Sequence, residues 1–179
     1  VAYLVASLVN LRAEIDAAWP NRDRRTDGWY ADPKVRKSDG HNPDGKGAVH
    51  AIDVDKDGIW PPYILDRIKL VRPVIWYAIW DRHIYSDDYG WVKQVYSGPN
   101  PHTDHMHIEV RHTAAGENYG GYWGVAAAPT QSMGQAPPSG QTWGDADPLP
   151  AMAGVAGQLV GVGTVGHDGA RAMRGLRNL

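Results

Sequence analysis

The chain contains no cysteine. Disulfide scaffolds, thiol nucleophiles and cysteine-ligated zinc fingers are therefore excluded, and any metal must be held by histidine and carboxylate. Phenylalanine is also absent, so the aromatic content rests on 8 Trp and 9 Tyr, which pair a large apolar surface with a polar handle. Basic excess is missing: the formal net charge is -2 and the pI about 6.5, which argues against a nucleic-acid partner. No apolar run is long enough to span a bilayer. Val1 to Ile15 carries neither a basic leader nor a small-residue cleavage site, so no signal peptide is expected. No internal repeat is evident.

What is present reads as one globular domain with an appendage. Leu4, Leu8, Leu11 and Ile15 recur at helical spacing and predict a helix over residues 2–18, with Arg12, Glu14 and Asp16 on its polar side. Trp19-Pro20 ends it, because the residue before proline is pushed out of the helical region. Residues 20–47 are rich in Asp, Arg, Gly, Asn and Pro and predict a long loop, a length usually retained for function. Ala48 to Val54 predicts a strand with Ala51, Asp53 and Asp55 on one face and His50, Ile52 and Val54 on the other. Pro61-Pro62 opens a helix to Val71, and Val74 to Trp80 predicts a buried strand. Ile84–Ser86 and Trp91–Tyr96 flank Asp87-Asp88-Tyr89-Gly90 as a hairpin, and His105 to Arg111 is the last strand. The fold class expected is α+β, a small mainly antiparallel sheet with packed helices. Beyond it, residues 116–150 read as a Gly/Ala/Pro-rich linker and 151–179 as a low-complexity C-terminal tail with a basic end.

The chemistry concentrates in Gly98-Pro99-Asn100-Pro101-His102-Thr103-Asp104-His105-Met106-His107. On a strand His105 and His107 point to one face. With His41 and Asp53 upstream, the chain supplies two imidazoles and a carboxylate, a ligand composition that leaves a zinc position open for water. His50 rivals His41, and Asp55 rivals Asp53. Asp53-x-Asp55-x-Asp57-Gly58 lacks the downstream glutamate of a calcium loop, so calcium is discounted. His102 is expected to border the cleft without ligating. His112 is expected to lie away from the site, and His83 and His167 at the surface.

Three segments together resemble the peptidoglycan peptidase domains of phage endolysins: Ser38-Asp39-Gly40-His41-Asn42-Pro43, Ala51-Ile52-Asp53, and Gly98 to His107. Those domains belong to the D-Ala-D-Ala carboxypeptidase-like zinc peptidases with the Hedgehog-type fold. The resemblance covers about the first two-thirds of the chain. It implies Zn2+ held by His41, Asp53 and His107. It also implies Asp104, three residues before the last ligand, as general base. His105 faces the metal side and is suited to orient the water or hold the oxyanion.

These readings set the expectations. Residues 1–115 form the peptidase-like domain. It hydrolyses a peptide bond in bacterial peptidoglycan, with metal-activated water as nucleophile and Asp104 as base. The expected partner is peptidoglycan, with no nucleic acid and no membrane span, and the tail is left to contact another protein or a further module. The expected location is the host cytoplasm until release to the wall, or the virion. The rival reading is a non-catalytic structural or wall-binding phage protein on the same scaffold.

Overall fold

The computed structural model describes residues 1–37 and 40–126. The expectations placed on Ser38, His167 and residues 151–179 lie outside the described residues.

The elements are β1 (Tyr3–Leu4), α1 (Ala6–Ala18), β2 (Ala48–Val49), β3 (Ala51–Asp55), α2 (Pro61–Ile68), β4 (Ile75–Trp80), β5 (His83–Ser86), β6 (Gln94–Val95), β7 (His105–Val110) and α3 (Ala114–Glu117). The class is α+β. A five-stranded antiparallel sheet runs in the order β3-β7-β4-β5-β6, beside a two-stranded parallel sheet of β1 and β2. No helix among the described residues is long and apolar enough to cross a membrane.

The apolar stripe of α1 is buried at Leu8, Leu11 and Ile15. The helix starts at Ala6 rather than residue 2, because Tyr3 and Leu4 pair with Ala48 and Val49. The strand expected over 48–54 is interrupted at His50 for the same reason: its first two residues pair with β1 and the rest with β7. One face of the large sheet, with Ile52, Val54, Ala78, Met106, Ile108 and Val110, joins the core that Leu8, Leu11, Ile15, Ile64 and Ile68 complete from α1 and α2. The opposite face is left for the site.

Two features of β4 escaped the sequence pattern. The register between β4 and β7 shifts between Ile75 and Tyr77, so Trp76 is an extra residue in the ladder. The bulge lets Ile75 and Ala78 both reach the core while Tyr77 and Ile79 stand beside Glu109 and His107. The tight hairpin of this sheet joins β4 to β5 through Asp81 and Arg82, both at positive φ (45° and 63°). That is the turn geometry suited to the strand twist, here without the Asn-Gly or Asp-Gly pair that usually announces it. The hairpin expected around Asp87–Gly90 exists in shortened form: β5 meets β6 only at His83 opposite Val95 and Ile84 opposite Gln94.

The packed body continues past residue 115. Trp123 is buried, and its indole Nε1 donates to Ser7 O at 3.2 Å. Glu14, read as a solvent-facing residue of α1, accepts from the backbone N–H of Trp123 (2.7 Å) and Val125 (3.0 Å). Val125 is fully buried. Trp123→Ala is expected to cost roughly 3–5 kcal/mol, the usual range for emptying a buried Trp site, read from the urea midpoint at unchanged m-value.

Candidate metal centre

Asp53 and His107 stand directly opposite each other on β3 and β7. Both backbone groups of Asp53 bond outward to Gly28, N to O at 2.7 Å and O to N at 3.1 Å. Asp53 and His107 are therefore a non-hydrogen-bonded pair, the type in which cross-strand side chains come closest. The same register sets Asp55 opposite His105 and Ala51 opposite Glu109. His105, His107 and Glu109 alternate onto one face.

His41 arrives from the long loop, fixed by backbone bonds on both sides. Ala31 N donates to His41 O at 2.9 Å, and His50 N donates to Gly40 O at 3.0 Å. Asn42 Nδ2 ties the loop to Ala31 O and Arg36 O. Gly40 is required by close approach, since a Cβ there would collide with the Glu109 carboxylate and Ala51 Cβ.

Three ligand atoms converge. His41 Nε2 lies 3.2 Å from Asp53 Oδ1 and 3.1 Å from His107 Nδ1, and the latter two are 3.0 Å apart. A tetrahedral ion with bonds of about 2.0–2.1 Å spaces its donors by about 3.3 Å, so the triangle fits a cation of that size. The two imidazole nitrogens facing each other share at most one proton, and a cation would satisfy all three lone pairs at once. His41 and His107 are buried and Asp53 nearly so. Burial raises the Asp53 carboxyl, but hydrogen bonds to His107 and His41 outweigh it and hold the group far below the ordinary carboxylate range. Burial likewise lowers His107, yet its bonds to Asp53 and Glu109 raise it to about 9.

Behind His107 stands a partner that the sequence reading missed. Glu109 is buried, with Oε2 3.5 Å from His107 Nε2, while Tyr77 O–H donates to Oε2 at 2.6 Å and His112 Nε2 lies 3.0 Å from Oε1. Burial pushes the Glu109 carboxyl up, and the contacts with His107, His112 and Tyr77 pull it down to about 2. A carboxylate on the far nitrogen of a ligating imidazole fixes its tautomer and orientation. The clue in the sequence was the unbroken alternation His105-x-His107-x-Glu109. His112, expected to lie away from the site, reaches it through Glu109.

The other candidates fall into place around this triangle. His105 Nε2 is 3.7 Å from Asp53 Oδ1, and its Nδ1 is 3.7 Å from Asp104 Oδ1. β7 begins at His105, so Asp104 sits in the preceding loop. Its side chain is 63% exposed and, among the described residues, touches the centre only through His105. His102 is buried at φ 51°, its ring 5.0 Å from that of His105 and 5.4 Å from that of His107. Its pKa is pushed down to about 4 by burial and by the neighbouring histidines. Asp53, His102 and His105 make an adjoining group that could also hold an ion. The rival ligands are engaged elsewhere: Asp55 accepts from Thr26 N and Asp57 N, and His50 turns to Glu117.

Replacing Glu109 by Ala should weaken divalent-metal binding at this centre by roughly 10–100-fold, the usual effect of losing an outer partner of a ligating histidine, measured by competition with a chromophoric chelator. No family model matches the chain, and no curated protein or solved structure matches it.

Proposed function

We propose that this chain is a zinc peptidase that cuts a peptide bond in bacterial peptidoglycan, on a Hedgehog/DD-peptidase-like scaffold, as an endolysin or virion-associated enzyme. The observation that carries the metal part of the reading is the convergence of His41 Nε2, Asp53 Oδ1 and His107 Nδ1 within 3.2 Å of one another. The substrate class rests on the motif resemblance.

His41, Asp53 and His107 would hold the ion. Two neutral imidazoles and one carboxylate leave zinc a net positive charge, which polarises a peptide carbonyl and acidifies water. The remaining work falls to the chain. Glu109 keeps the His107 ring turned toward the ligand triangle, and Tyr77 and His112 keep Glu109 in place. His105 faces the reacting side, between the triangle and Asp104. In this reading Asp104 is the general base that finally receives the water's proton and returns it to the leaving amine. His105 orients the water and carries the proton across, since Asp104 itself stands back in the loop. His102, buried against His105, restricts the tilt of that ring.

The test is mass spectrometry of purified peptidoglycan fragments incubated with the zinc-loaded chain. A new fragment, absent with Asp104→Asn, would establish the peptidase and name the bond. Asp104→Asn should retain zinc and lose roughly 10²–10⁴-fold in turnover, the usual worth of a general base. Near-normal turnover in that variant, with His105→Ala inactive, would transfer the base role to His105. No cleavage of either Gram-positive or Gram-negative wall by the metal-loaded chain would favour the non-catalytic, wall-binding reading. His107→Ala should lose the ion at this centre; full retention there would refute the ligand set.

A further inference from the structure

A second cluster of metal-ligating side chains lies outside the triangle and shares no residue with it: Asp44, His50 and Glu117, with one ligand atom from each within 4.8 Å of the others. It joins three remote parts of the chain. Asp44 stands three residues after His41 in the loop that leads into β2. His50 occupies the break between β2 and β3, and Glu117 is the last residue of α3.

Each side chain is already aimed. The Asp44 carboxylate is fixed by two backbone donors, Lys46 N at 2.8 Å and Ala48 N at 2.9 Å, both to Oδ1. Those bonds, the one from Ala48 foremost, hold it below the ordinary carboxylate range. His50 is fully buried and is held on both sides by its backbone, N to Gly40 O and O from Val110 N. Its Nε2 lies 3.2 Å from Glu117 Oε1, while Nδ1 has no hydrogen-bond partner among the described residues. Its ring stacks on His112 at 3.8 Å.

No lysine or arginine forms an ion pair with Asp44 or Glu117 among the described residues. The group able to carry a positive charge against Glu117 is His50 itself, at 3.2 Å, while His112 is committed to Glu109 at 3.0 Å. The hydrogen bond between His50 and Glu117 accounts for one ring nitrogen, and the exposed Asp44 carboxylate stands within reach of both. One imidazole and two carboxylates form a donor set for a borderline divalent cation such as Zn2+ or Mn2+.

We infer that Asp44, His50 and Glu117 form a second, structural divalent-cation site that clamps the His41 turn to the C-terminal end of the packed body. An ion here does no chemistry on substrate. It stiffens the turn that delivers His41, and it couples the segment after β7 to the loop before β2. Binding to the folded chain alone also raises stability by mass action.

The experiment uses the whole 179-residue chain, stripped with chelator, reloaded with Zn2+ and freed of excess metal, with metal per folded chain measured by elemental analysis. The wild type should hold two equivalents. His107→Ala should keep one, and zinc should still raise its melting temperature. The double variant Asp44→Asn, Glu117→Gln should also keep one, and combining all three substitutions should leave none. A double variant that holds as many ions as the wild type overturns the inference. So does a wild type holding one ion that His107→Ala loses. One ion kept by His107→Ala and lost by the double variant would sustain this site and overturn the catalytic one instead. If the double variant does not fold by circular dichroism, Glu117→Gln alone decides. It should weaken the second ion by at least about tenfold, a modest loss for removing a ligand, and unchanged affinity overturns the site.

Discussion

The site depends first on the register of β3 against β7. Asp53 and His107 meet as a non-hydrogen-bonded pair because Asp53 directs its own backbone groups outward to Gly28. That choice brings the carboxylate and imidazole together without distorting either strand. A slip of β3 by one residue would turn Asp53 into the core and Ile52 toward the site face. The apolar face of the sheet, buried on α1 and α2, forbids the slip. Core packing and site assembly are thus the same constraint seen from two faces.

Polar burial is the second theme. The site face of the sheet buries His107 and Glu109 and seals His41 and His102 beneath loops. Such groups are tolerated only when paired. Glu109 achieves this with contacts to Tyr77, His107 and His112, and the absence of a Cβ at Gly40 makes room for it. His102 Nδ1, His105 Nε2 and His50 Nδ1, imidazole nitrogens with no hydrogen-bond partner among the described residues, belong to residues of groups with metal-ligating composition.

The bulge at Trp76 connects these themes. Without it, strict alternation along β4 would put Ile75, Tyr77 and Ile79 on one face. The extra residue lets Ile75 join the core while Tyr77 reaches Glu109. One irregularity in the ladder therefore serves both the packing and the second rank of the site.

Much of this was legible in the chain. The apolar spacing of Leu8, Leu11 and Ile15, the Pro61-Pro62 helix start and the β-branched and aromatic runs determined the α+β class, because periodicity reflects which face is buried. The set His41, Asp53 and His107 was expected from the motif resemblance, while local pattern placed only His105 and His107 on one strand face and left His50 and Asp55 as rivals. Other features had no local signature. The Asp81-Arg82 turn uses residues that do not advertise positive φ, and the break at His50 exists only because β1 claims Ala48 and Val49. The place of Asp104 behind His105, the burial of Trp123 under Glu14, and the meeting of Asp44, His50 and Glu117 depend on contacts between segments far apart in sequence. Sequence by itself determined which residues could do metal chemistry and which faces must be buried. Only the tertiary structure decided which of the histidines and carboxylates meet, because strand register and loop closure are settled by the packing of the whole core.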